Sequence, residues 1–86
     1  MRITLDIPDY DGEALDVVWE NGSKYAIKIA DNTVMISANK NALISIAKQM
    51  IYMACNNLPV GGHVHYDSFF TETNGEYELV IEKEDV

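Results

Sequence analysis

Only one stretch of this chain repeats its apolar residues at helical spacing, and a break and a strand follow it at once. From Asn39 to Asn56, Leu43, Ile46, Ala47, Met50, Ile51 and Ala54 recur every three or four positions, the period of one helix face. Asn39 is a good N-cap and Ser37 its rival. Neither is followed three residues on by Glu or Gln, so no capping box completes the start. Asn56-Asn57 suits a left-handed helix end, and Pro59 keeps the helix from resuming. Such a helix is about 27 Å long, which matches a strand of about eight residues. A chain with one such helix and alternating segments elsewhere folds as a sheet laid on that helix.

Around the helix, Ile44 and Cys55 widen the apolar stripe on one flank, and Ala42 and Met53 widen it on the other. Asn41, Ser45, Lys48, Gln49 and Tyr52 form the polar face. The apolar arc, at more than about 200°, is wider than that of a typical surface helix. Either the sheet curls around the helix, the commoner arrangement, or another chain covers part of the flank.

The remaining segments alternate. Ile3, Leu5 and Ile7 face opposite to Arg2, Thr4 and Asp6, the period of a half-buried strand. Pro8 stops that strand, and Asp9 to Gly12 carries turn chemistry. Leu15, Val17 and Trp19 mark a second strand, and Asn21-Gly22 suits a tight hairpin. Tyr25, Ile27 and Ile29 mark a third, with Lys24 and Lys28 on its other face. Asp31-Asn32 makes a second two-residue turn, and Thr33 to Ser37 a fourth strand with Val34 and Ile36 on the core face.

Past Gly61-Gly62, a strand from His63 to Phe69 turns Val64 and Tyr66 inward and His63, His65 and Asp67 outward. Glu76 to Lys83 forms the last strand, with Tyr77, Leu79 and Ile81 inward. If these two strands pair, His63 and His65 lie opposite two of Glu78, Val80 and Glu82. The expected fold is α+β: a mainly antiparallel sheet of about six strands packed on one long helix, in the order β-β-β-β-α-β-β. At 86 residues it forms a single domain, residues 1–86.

Fourteen acidic residues against six basic ones give a net charge of −8. Such a chain repels nucleic acid and anionic membrane and is drawn to basic surfaces. Cys55 is the sole cysteine, so no internal disulfide forms, and within the apolar stripe it reads as a small buried hydrophobe. The start MRITLDIP lacks the apolar core of a signal peptide, and no run approaches a membrane span. A cytoplasmic protein is expected.

The His63-x-His65-x-Asp67 run is the one constellation that resembles a ligand set. His residues two apart on a strand project from one face and can chelate zinc. Asp67 lies about 13 Å from His63 along a straight strand, so further donors would have to be Glu78 or Glu82. The alternative is a solvated polar face with His–Glu pairs. No catalytic motif appears: Gly61-Gly62 precedes a strand rather than a helix, and no serine stands in a nucleophile elbow. The candidate binding surface is acidic and aromatic: Asp9, Tyr10, Asp11, Glu13 and Asp16 cluster at the first turn, with Tyr52 on the polar helix face. Exposed aromatics beside carboxylates suit anchors for a basic partner. A second acidic group, Glu72, Glu76, Glu78, Glu82, Glu84 and Asp85, also fits a charged edge that blocks strand aggregation.

Four segments together carry a family likeness: Ile36 to Lys40, Ala42 to Ala47, Gly62-His-Val-His-Tyr-Asp67, and Tyr77-Glu-Leu-Val-Ile81. In this order they resemble immunity protein family 32 of bacterial polymorphic toxin systems. Ala38 stands where that family often has Gly, and Tyr66 where Leu is common. The likeness implies a non-enzymatic antitoxin that binds a cognate toxin and blocks it. A small metal-binding protein using His63 and His65, or a homodimeric interaction module joined through the surplus apolar flank of the helix, are the alternatives.

Overall fold

The computed structural model describes residues 1–10, 12, 18–55, 58–66, 69–71 and 78–84, with Cys55 and 69–71 described by backbone alone. Strands β1 (Tyr25–Ala30) and β2 (Thr33–Ala38) precede helix α1 (Lys40–Cys55), and β3 (His63–Tyr66), β4 (Phe69–Thr71) and β5 (Leu79–Glu82) follow it. None of the described helical structure is long and apolar enough to cross a membrane.

The β1–β2 hairpin closes as its sequence suggests. Asp31 and Asn32 take φ of 51° and 59°, both in the left-handed region that a two-residue type I′ turn needs. Ala30 and Thr33 then face each other, and the register brings Ile27 opposite Ile36 and Lys28 opposite Met35. Asn39 caps the helix. Its carbonyl accepts from Leu43 N at 2.9 Å, and its side-chain Oδ1 accepts from Ala42 N at 2.9 Å. The same Oδ1 accepts from Lys24 N at 3.1 Å, so the cap also fastens the start of β1 to the helix.

The fold is α+β, but the strands divide into two sheets. One has the order β2-β1-β4, with β4 parallel to β1, and the other pairs β3 with β5 antiparallel. The β3–β5 parity is as expected: Val64 faces Ile81, Tyr66 faces Leu79, His63 faces Glu82 and His65 faces Val80. Four of the six expected strands have counterparts. The strand expected from His63 to Phe69 ends at Tyr66, and 69–71 joins the other sheet.

The first two expected strands are corrected. Arg2–Ile7 forms no strand, and neither does Val18–Glu20, while 15–17 lie outside the described residues. A strand needs a free edge to pair with, and both edges of β1 are taken, by β2 and by β4. Val18–Glu20, which the expected meander paired with β1, is thereby kept off it, so Arg2–Ile7 loses the strand it was expected to join, and Ile3 stays 71% exposed. Asn21-Gly22 does turn the chain, with Ser23 N donating to Glu20 O at 3.1 Å and φ of 79° at Gly22, but it joins no hairpin.

The core is small. Ile27, Tyr52, Met53, Leu58, Val64 and Tyr66 are buried together, with Ile7, Tyr10, Trp19, Tyr25, Ile46, Leu79 and Ile81 packed around them. Trp19 stacks on Tyr25 with centroids 4.9 Å apart, and Tyr66 meets both rings edge-on at 6.1 and 6.0 Å. Edge-to-face and stacked pairs add about 0.5–1.5 kcal/mol beyond the area they bury, so this trio ties Tyr25 of one sheet to Tyr66 of the other.

Candidate functional site

The helix is turned the other way from the reading of its pattern. Ala42, Ser45, Gln49, Tyr52 and Met53 are its buried residues, whereas Leu43, Ala47, Met50, Ile51 and Ala54 are exposed. The expected polar face is thus the inner one, and the sheet does not curl around the apolar arc.

The reason lies in the segment Val18–Lys24, which has no ladder to satisfy its backbone. Side chains of α1 supply the partners instead. Asn41 Nδ2 donates to Asn21 O at 2.8 Å, and Ser45 Oγ accepts from Glu20 N at 2.8 Å while donating to Asn41 O at 2.7 Å. Gln49 Nε2 donates to Val18 O at 3.2 Å, and Lys48 Nζ meets Glu20 Oε1 at 3.1 Å. Buried backbone groups must be paired, so a polar helix stripe facing inward is the stable arrangement here. Gln49 also accepts from the Tyr66 hydroxyl at 2.6 Å. Burial raises the Tyr66 phenol above its ordinary pKa, and neighbouring Tyr25 adds to the shift.

Above this stripe the N-terminal segment leaves a cleft of about 380 Å³. Asp6, Ile7 and Pro8 form one wall, Val18, Gln49 and Tyr52 the apolar and amide floor, and Lys48 stands at the rim. Asp6 and Asp9 are exposed, Tyr10 is half-buried against the core, and Asp11, Glu13 and Asp16 lie outside the described residues. Tyr52 is corrected: at 3% exposure it is a core residue, not an exposed aromatic anchor. The structure still brings it beside the acidic segment, as the floor of the cleft that Asp6 borders.

The two histidines stand together on the outer face of β3, their rings 4.8 Å apart. His63 Nδ1 donates to Gly61 O at 2.9 Å, and His65 Nδ1 pairs with Glu78 Oε1 at 3.1 Å. Asp67 lies outside the described residues. Among the described residues, no group of three His, Cys, Asp or Glu is placed to hold one metal ion.

Pattern reading missed the inward role of Ser45 and Gln49. The signal was there: apart from Lys48 the polar stripe holds only uncharged hydrogen-bonding residues, and these, once paired, are tolerated in a core where Glu and Lys are not.

The family model for Immunity protein 32 matches residues 33–84, which is 52 of the 86 residues. The chain belongs to the immunity protein 32 family. No curated protein and no solved structure matches it. The immunity protein 32 match bears out the likeness read from the helix and the Gly-His-Val-His segment. It starts at β2 and takes in α1 and the β3–β5 pair, the part of the fold that carries the inward polar stripe. The wall of the cleft, Asp6 to Pro8, precedes the matched region.

Proposed function

We propose that this protein is a non-enzymatic immunity protein that binds a cognate toxin domain of a bacterial polymorphic toxin system in the cytoplasm and occludes it. Membership of the immunity protein 32 family carries the reading. The net charge of −8 supports a toxin with a basic active-site surface, since opposite fields speed encounter and set orientation. The contact centres on the cleft beside Asp6, with Asp9 and Tyr10 and the acidic residues Asp11, Glu13 and Asp16 that follow in sequence. Its apolar floor supplies ground that excludes water, and the carboxylates supply the charged rim. Calorimetry with the toxin domain encoded beside this gene tests the reading. A stoichiometric complex that weakens with salt and with Asp6→Asn and Asp9→Asn is expected; absence of any complex ends it.

A second reading has its own observation. Both His63 and His65 engage through Nδ1, to a carbonyl and to a carboxylate, which leaves both Nε2 atoms as the free nitrogens, an arrangement common behind zinc-binding imidazoles. Metal analysis of the purified protein decides it: substoichiometric zinc that His65→Ala leaves unchanged removes the metal role.

A further inference from the structure

All fourteen acidic residues of this chain lie before Asn32 or after Tyr66. The stretch between them contains β2 and α1, and among the described residues it holds a broad uncovered apolar surface. Val34, Ile36, Leu43, Met50 and Ile51 keep between 38% and 58% of their area exposed. Val34 and Ile36 share the strand face of Ile27 and Ile29, the side that meets the core, but the helix leaves them uncovered. The surface is continuous: Ile36, Ile46 and Met50 line one crevice, and Met50, Ala54 and Ile81 line the groove beside it.

We infer that this face joins two copies of the chain in a two-fold dimer, with the α1 helices packed antiparallel. The spacing of the exposed stripe argues for it. Leu43, Ala47, Met50 and Ala54 follow one another at intervals of four, three and four, the seam of a coiled coil. Large and small residues alternate along it. An antiparallel two-fold placed between Ala47 and Met50 sets Leu43 against the partner's Ala54 and Ala47 against the partner's Met50. Each large side chain meets an alanine, and the contact is self-complementary, as a two-fold interface requires.

Charge and area agree. Two chains of net charge −8 repel wherever carboxylates meet. Among the described residues lining this face the one carboxylate is Glu82, at the edge of the groove with Lys83 beside it, so a basic partner finds little countercharge here. The exposed patch amounts to on the order of 400 Å² per copy, close to the apolar core of an interface that takes about 800 Å² per partner. This interface goes beyond toxin binding and leaves the acidic cleft free.

Sedimentation velocity of the full chain without toxin tests it over a range of concentration and salt. A dimer is expected, and added salt strengthens it by screening the residual repulsion. Leu43→Lys, at an exposed position, weakens association at least tenfold while circular dichroism stays unchanged. Leu43→Ala and Ala54→Leu each weaken it alone, and together they restore it, because the swap keeps every large residue opposite a small one. A chain that stays monomeric throughout overturns the inference. So does a dimer indifferent to Leu43→Lys, or one that the double swap leaves weakened.

Discussion

The Tyr66 hydroxyl donates to Gln49 Oε1 at 2.6 Å inside the core, and through Gln49 Nε2 the bond continues to the carbonyl of Val18. One buried amide therefore ties β3, α1 and the irregular segment before β1 together. Tyr66→Phe strands the Gln49 oxygen, and Gln49→Ala strands both the phenol and the Val18 carbonyl. Leaving a buried polar group unmade costs about 1–3 kcal/mol, so urea denaturation should show Gln49→Ala as the more damaging change. The double variant should fall short of the sum, with a coupling of about 0.5–3 kcal/mol; strict additivity would show that the two residues act separately.

The same tyrosine should give the fold an alkaline limit. Burial, then Tyr25, raises its folded-state pKa, so the folded chain keeps a proton that the unfolded chain loses above about pH 10. That share of the stability is complete below the unfolded pKa and is lost as pH rises through the folded one. Tyr66→Phe should flatten the fall in stability on the alkaline side and leave its shape near neutrality unchanged.

Asn39 does more than cap. Besides accepting from Ala42 N and Lys24 N, it donates from Nδ2 to Gly22 O at 2.8 Å. Asn39→Ala should cost about 1–2 kcal/mol, at the high end for a cap. Asn39→Asp keeps the accepting oxygen and should recover most of that loss. Equal effects of the two substitutions in thermal unfolding would contradict the assignment.

Gly62 is held by space rather than by backbone angle. A Cβ there would lie 2.8 Å from Leu58 Cδ2 and Cγ, and Leu58 is buried. Gly62 O also accepts from Lys83 N at 2.9 Å, pinning its backbone beside β5. Gly62→Ala should destabilise by about 1–3 kcal/mol, the usual range for overpacking. Leu58→Ala in the same chain should relieve part of the strain, and a simple sum of the two losses would rule out the contact.

Lys48 and Glu20 offer a contrast on the same helix face. Their pair is 3.1 Å long, but the side chains are 22% and 45% exposed, and pairs of this kind contribute about 0–1 kcal/mol. Lys48→Gln should therefore be nearly silent in denaturation, while Ser45→Ala, which removes the fully buried acceptor of Glu20 N, should cost about 1–3 kcal/mol.

Local chemistry in the sequence was enough for the Asn39 cap, for the Asp31-Asn32 turn and for the inward parity of Val64, Tyr66, Leu79 and Ile81. Each depends on neighbours in the chain or on a period of two that a short segment carries by itself. The Gly-His-Val-His segment likewise carried the family, which the match over residues 33–84 shows. The acidic candidates were legible only as a cluster; Tyr52 was placed on the wrong side because its face was read as solvent.

What tertiary structure alone decided is which segments pair and which way the helix faces. Arg2–Ile7 has the pattern of a strand, but the segment it was expected to pair with is kept off β1 by β2 and β4, and strand pairing is a competition that a single segment does not reveal. Val18–Lys24, left without a ladder, needs hydrogen bonds from somewhere, and Asn41, Ser45 and Gln49 supply them. That demand turns the uncharged polar stripe inward and the apolar stripe out. Hydrophobic periodicity determines that a helix has two faces; the unpaired backbone beside it determines which one is buried.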